Sequence, residues 1–213
     1  MTTSLDKSKQ MDMAGLAIKV KDVDLSGALD VTGNAAVTGN LTITGNIINT
    51  SSVLTRGAGV DTSESYAVSI VRSGTLITTR IVVDLSTLIG SATDLDIIGE
   101  SAAASCHWGQ VTTAKCGTII GGRVTCLEVP AGGSTDIDFY SATVSTGTQD
   151  VDVTTLTETA LVTSGGAWTS GATKGMTIVP PADDYLYIVN GAASGGTFTA
   201  GKFEITLYGY SAT

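Results

Sequence analysis

Apolar and polar residues alternate with a period of two through most of this 213-residue chain, and hardly anywhere at the three-to-four spacing of an amphipathic helix. The alternating runs predict strands at 66–71, 76–85, 94–98, 117–128, 136–141, 151–153, 176–178, 185–190 and 202–210, each bounded by Gly, Ser or Asp. Only 85–89 and 156–163 leave a short helix or turn competing with a strand. The pattern predicts an all-β domain over 66–213, a β-sandwich or jelly roll of about eight to ten strands. Its last run, Phe203 to Tyr210, alternates over its whole length and is expected to tie the chain end into a sheet.

A different period precedes that domain. Leu29-Asp30-Val31-Thr32-Gly33-Asn34, Ala35-Ala36-Val37-Thr38-Gly39-Asn40 and Leu41-Thr42-Ile43-Thr44-Gly45-Asn46 form a hexapeptide repeat. In each hexad the first and third residues are apolar and share one face of a short strand, and the Gly-Asn step suits a tight turn. Three hexads are too few to bury a core alone, because stacked repeats are covered only by their neighbours. Residues 25–50 are therefore expected to be an oligomerisation stem in which Leu29, Val31, Val37, Leu41, Ile43 and Ile47 meet their counterparts in other copies, three chains being the preferred number. Residues 51–65, rich in Gly, Ser, Thr and Asp, read as a linker. Residues 1–24 read as a polar arm ending in a short strand around Ile18 and Val20.

Composition removes several function classes. Charged residues make up 15% of the chain, against about 25% in an average globular protein, and the formal net charge is -9. The only basic cluster, Lys7, Lys9, Lys19 and Lys21, is interleaved with Asp6, Asp12, Asp22 and Asp24, so no phosphate-neutralising footprint is expected and nucleic acid is a poor partner. No apolar run reaches the length of a membrane span, and the first residues lack the basic and apolar regions of a signal peptide.

Candidate chemistry is sparse. Cys106, Cys116 and Cys126, ten residues apart, do not have zinc-ligand spacing; buried free thiols are expected, with one disulfide or a three-fold contact between copies as alternatives. His107 stands between Cys106 and Trp108, yet neighbours in a strand point to opposite faces, so a packed imidazole is expected over a Cys-His dyad. The pairs Asp94/Asp96, Asp136/Asp138, Asp150/Asp152 and Asp183/Asp184 lack the aromatic-walled cleft of acid-base catalysis and read as loop and edge residues, with a calcium loop as the sharper alternative. The glycine pairs at 121–122, 132–133, 165–166 and 195–196 match no phosphate-binding fingerprint and read as turns. Trp108 and Trp168 are expected to fill the core or a subunit contact, and a sugar platform is the alternative. No catalytic residue, cofactor or metal is assigned.

The run from Leu25-Ser26-Gly27-Ala28 through Thr44-Gly45-Asn46 resembles the β-repeat stems of tailed-bacteriophage fibres, spikes and capsid decoration proteins. The resemblance implies a homotrimer, assembly in the host cytoplasm and a place on the virion surface. At this size it implies a non-enzymatic decoration, or cement, protein of the phage head. It also implies that the arm docks on the major capsid protein or another virion protein, with Lys7, Lys9, Met11, Met13, Leu16, Ile18 and Val20 as docking candidates. A tail fibre or spike that recognises a host glycan or protein is the alternative, and an enzyme on a trimeric spike the third class.

Overall fold

The computed structural model describes residues 54–61, 65–100 and 104–211, all within the unit Ile48–Thr213. Strand β1 (Tyr66–Ser73) and β2 (Leu76–Asp84) form a hairpin whose two-residue turn places Gly74 at φ +61°, a conformation that glycine adopts without strain. Strand β10 (Ala200–Tyr210) pairs with β2 along one edge and with the long β4 (Thr118–Ala131) along the other. The short β7 (Thr173–Gly175) continues beyond β4, so the order of the large sheet is β1-β2-β10-β4-β7. A smaller sheet has the order β6 (Glu158–Val162), β5 (Ile137–Ala142), β8 (Tyr185–Asn190). Between the two, β3 (Ile89–Gly90) pairs with β9 (Gly196–Thr197). Every pairing is antiparallel.

Residues 95–98 extend the small sheet beyond β8. Ile97 bridges Val189, Ile98 N–H donates to the Ile188 carbonyl at 3.0 Å, and Asn190 N–H donates to the Asp96 carbonyl at 3.0 Å. With that segment counted, the chain passes from β2 in the large sheet to 95–98 in the small one, back to β4, across to β5 and β6, back to β7, across to β8 and finally back to β10. That alternation is the wiring of a jelly roll, and the domain is an all-β sandwich of this kind.

The two sheets meet through large apolar side chains. Phe139 of β5 and Phe203 of β10 pack edge to face at 5.2 Å, and Trp168 joins both at 6.1 and 5.3 Å. Trp168 satisfies its indole N–H on the Ile137 carbonyl at 2.8 Å. Ile81 and Val83 of β2, Val124 and Cys126 of β4, and Leu186 and Ile188 of β8 complete this interior, all buried. Each large side chain so removed from water contributes about 1.5 to 3 kcal/mol. Among the described residues no helix is long and apolar enough to cross a membrane.

Several local expectations change. Residues 151–153 are not a strand: Val153–Leu156 is a 3-10 turn, started by the Asp152 carboxylate accepting from Thr154 N–H at 2.8 Å, a capping signal that the flanking valines obscured. The strand expected at 176–178 lies three residues earlier, at β7, because that is where the backbone meets β4; Ile178 is exposed. The ambiguous stretch 156–163 holds β6. The 94–98 run is reduced to bridges because Leu95 adopts φ +66°, turned by the Asp94 carboxylate on its own N–H. A short helix, α1 (Thr113–Cys116), went unforeseen.

The expected linker also differs in its described part, 54–61. Leu54 and Val60 are buried, and Gly57 and Gly59 donate their N–H groups to the carbonyls of His107 and Ser105, both at 2.7 Å. A Cβ on Gly57 would stand 2.1 Å from the Ser105 carbonyl oxygen. These glycines permit a close backbone approach instead of loosening the chain.

Candidate functional site

Two surfaces of the domain carry features beyond ordinary packing. The first is the outer face of the large sheet. Strand alternation points Phe203, Ile205 and Leu207 of β10 into the core and puts Glu204, Thr206, Tyr208 and Tyr210 on the opposite face, where Tyr208 and Tyr210 are exposed while Glu204 and Thr206 are covered by their neighbours. Register places Tyr208 beside Thr78 and Gly121, Tyr210 beside Leu76 and Thr118, and Val71 beside Thr78. Ile120 occupies the irregularity in β4 next to Tyr208. Leu76 and Ile120 are 59% and 60% exposed, and Val71, Tyr208 and Tyr210 are exposed too. One end of the face is thus an apolar and aromatic patch spread over four neighbouring strands. Towards the other end the face is ionic: Arg80 hydrogen-bonds to the Glu204 carboxylate, which holds the Glu204 pKa below its usual value against the opposing effect of burial.

The second is a cleft of about 250 Å³ where residues 54–56 pass the beginning of β8. Its walls include Arg56, His107, Gln110, Thr112, Lys115 and Tyr185. Arg56 is oriented by Asp61, at 2.9 Å, and lies 5.1 Å from the centre of the Tyr66 ring. Gln110 is fixed by donating its amide to the Asp183 carbonyl at 2.8 Å. His107 packs edge to face on Tyr185 at 4.9 Å; burial pushes its pKa down, and its Nδ1 is buried without a hydrogen-bond partner.

The other expected chemical groups are drawn into structure. Cys106, Cys116 and Cys126 are free and buried, and burial raises all three thiol pKa values, that of Cys106 to about 11. The Cys106 thiol lies against the carbonyls of Gly59 and Ala104 while His107 faces Tyr185, so the neighbours do not form a dyad. Trp108 and Trp168 are core residues. Of the carboxylate pairs, Asp96 accepts from the Ser91 hydroxyl, Asp136 from the Ser164 hydroxyl, Asp138 from Ser164 N–H and Asp184 from the Ser141 hydroxyl. Burial raises the pKa of both Asp138 and Asp184. Asp150 and Asp183 occupy left-handed turn positions. Among the described residues no three His, Cys, Asp or Glu side chains are grouped to hold a metal ion. Gly121 and Gly122 are not a turn; they lie inside β4, where a Cβ on Gly122 would strike the Met176 sulfur at 2.4 Å.

The stem candidates Leu29, Val31, Val37, Leu41, Ile43 and Ile47, and the docking candidates Lys7, Lys9, Met11, Met13, Leu16, Ile18 and Val20, lie outside the described residues. Neither surface above was visible in the sequence, since each joins residues from strands or loops far apart in the chain. Set against models of protein families, curated proteins and solved structures, the chain matches none.

Proposed function

We propose that this chain is a non-enzymatic virion structural protein, a trimeric decoration protein of a phage head, whose repeat segment joins the copies while the jelly roll makes protein contacts. The observation that carries the contact role of the jelly roll is the apolar patch of Val71, Leu76, Ile120, Tyr208 and Tyr210 on an otherwise well-packed sandwich. Contiguous exposed apolar surface rimmed by polar groups is characteristic of a protein contact, and tyrosines are favoured at such contacts. The employment of the buried carboxylates and thiols in loop anchoring and packing agrees with a role exerted through binding. Jelly rolls serve many functions, so the virion assignment rests on the resemblance of the repeats and not on the fold.

The test combines light scattering with binding to phage heads lacking the protein. The wild-type chain should be a trimer that saturates sites on the heads. Val37→Asp should shift it towards monomer, and Leu76→Lys with Tyr208→Lys should lower head occupancy while leaving the circular dichroism and melting temperature unchanged. A wild-type monomer overturns the shared stem. A trimer that ignores heads but binds host cells replaces decoration with receptor recognition.

A further inference from the structure

The large sheet ends at β1, and among the described residues only β2 pairs with that strand. The hairpin fixes which backbone groups are left over. Ser73 and Leu76 close its two-residue turn as a hydrogen-bonded pair, so Ala67, Ser69, Val71 and Ser73 direct their N–H and C=O groups to β2, while Tyr66, Val68, Ile70 and Arg72 direct theirs away from the sheet. The side chains on that second alternation are also incompletely covered. Tyr66, Val68 and Ile70 pack against the core but stay only half-buried, whereas Val83, Ile81 and Thr79, their neighbours on β2, are fully buried. Edge strands are ordinarily blunted by proline, lysine, a bulge or shortness, since an open ladder recruits another strand. β1 has none of these: it runs for eight residues, its register with β2 is unbroken, and its one charged side chain, Arg72, is engaged by the Ala114 and Lys115 carbonyls at 2.8 and 3.2 Å.

We infer that this edge is a pairing site for β1 of a second copy of the chain, antiparallel across a two-fold axis at Ser69. The strand is complementary to itself in that register. Val68 stands opposite Ile70 on the inner face and Ala67 opposite Val71 on the outer, Tyr66 meets Arg72, and Ser69 meets its own counterpart at a non-hydrogen-bonded position. The outward N–H and C=O groups of Val68 then bond those of Ile70 in the other copy, and those of Tyr66 bond Arg72. A shift of two residues leaves only 66–70 overlapping in one direction and sets Arg72 against Val68 in the other. β1 holds no acidic residue, so the contact avoids the repulsion that a net charge of -9 imposes elsewhere, and no like charges face each other across the axis. The interface is continuous with the outer patch, because Val71 belongs to both. The inference does not rest on the virion reading. In a trimer joined by the repeats, the same pairing links one trimer to the next, since a three-fold axis cannot set a strand against itself.

The test compares the full chain with Ser69→Lys, which changes an exposed side chain, keeps the β1–β2 ladder and sets two lysines opposite each other across the axis. In sedimentation at rising concentration, the wild type should reach at least about twice the mass of the variant. In hydrogen exchange, the Val68, Ile70 and Arg72 amides should be protected at least about tenfold more in the wild type than in the variant. Ser69→Cys should oxidise to a covalent dimer, because a non-hydrogen-bonded pair brings its α-carbons within disulfide range, and the three native thiols are buried. Ala67→Cys should not, its counterpart lying roughly 13 Å away along the strand. Equal masses for the wild type and Ser69→Lys at every concentration overturn the inference. Amide protection that is the same in both overturns it as well, by showing that another segment of the chain covers the edge or that nothing does. So does a Ser69→Cys chain that cross-links no faster than Ala67→Cys.

Discussion

At the scale of single residues, most side chains that invited a chemical interpretation are held by packing. Trp168 was legible as a core residue from its type, and the structure supplies the reason it can be buried, a carbonyl for its indole N–H. His107 was legible as packed, but its cleft was not, because Arg56 and Lys115 stand 51 residues before it and eight after it, and only folding brings them together. The Arg80–Glu204 pair was equally hidden, joining β2 to β10. Its energetic role has a definite sign. The folded-state pKa of Glu204 is lowered, chiefly by the Arg80 hydrogen bond, so the pair stabilises the fold above the ordinary glutamate value of about 4.3 and loses that effect as the pH falls through the lowered value. Because Arg80 is largely exposed, Glu204→Gln should cost only about 0.2 to 1 kcal/mol at pH 7. Urea unfolding of both proteins as a function of pH should show the gap closing on acidification; a gap independent of pH rules out the ion pair as its source. The raised pKa values of Asp138 and Asp184 act in the opposite direction and are common to both proteins, so they cancel in the difference.

At the scale of elements, period-two alternation located β1, β2, β4 and β10 closely, because one face of each is more buried than the other, while β5 and β8, buried on both faces, were marked by their apolar and aromatic content between turn residues. It failed where a side chain, not periodicity, sets the backbone: Asp152 capping its 3-10 turn, Asp94 turning Leu95, and glycines placed for clearance. Gly209 shows the last effect. It lies in β10 with an inward-facing α-carbon, and a Cβ there would stand 2.0 Å from the Cys116 carbonyl oxygen at the end of α1. Gly209→Ala should therefore push α1 away from the sheet and destabilise the domain by about 1 to 3 kcal/mol, measured by chemical denaturation. Gly165→Ala is the informative contrast: nothing surrounds that position, so any cost comes from its φ of +65° alone.

At the scale of the whole molecule, the all-β class followed from the absence of helical periodicity, and a sandwich was the natural way to cover so many half-buried strands. The strand order could not be inferred in the same manner. Alternation says which face of a strand is buried but carries no information about which neighbour it pairs with. The outer patch depends on that order, since Val71, Leu76, Ile120, Tyr208 and Tyr210 become neighbours only when β10 lies between β2 and β4.

That central position has a further consequence, in time and not in space. β10 is the last strand of the domain to leave the ribosome, and without it β2 and β4 have no partner in common. Its pairing with β2 spans more than a hundred residues, the kind of non-local closure that slows folding to roughly milliseconds or longer. Until residue 210 has emerged, the nascent jelly roll should remain sensitive to protease, and then become resistant in one step. A stalled-ribosome series in which resistance appears before β10 is exposed would show that the two halves of the large sheet can form apart. Resistance gained only with β10 would mean that the outer patch, which needs β10 between β2 and β4, is the last surface of the domain to form.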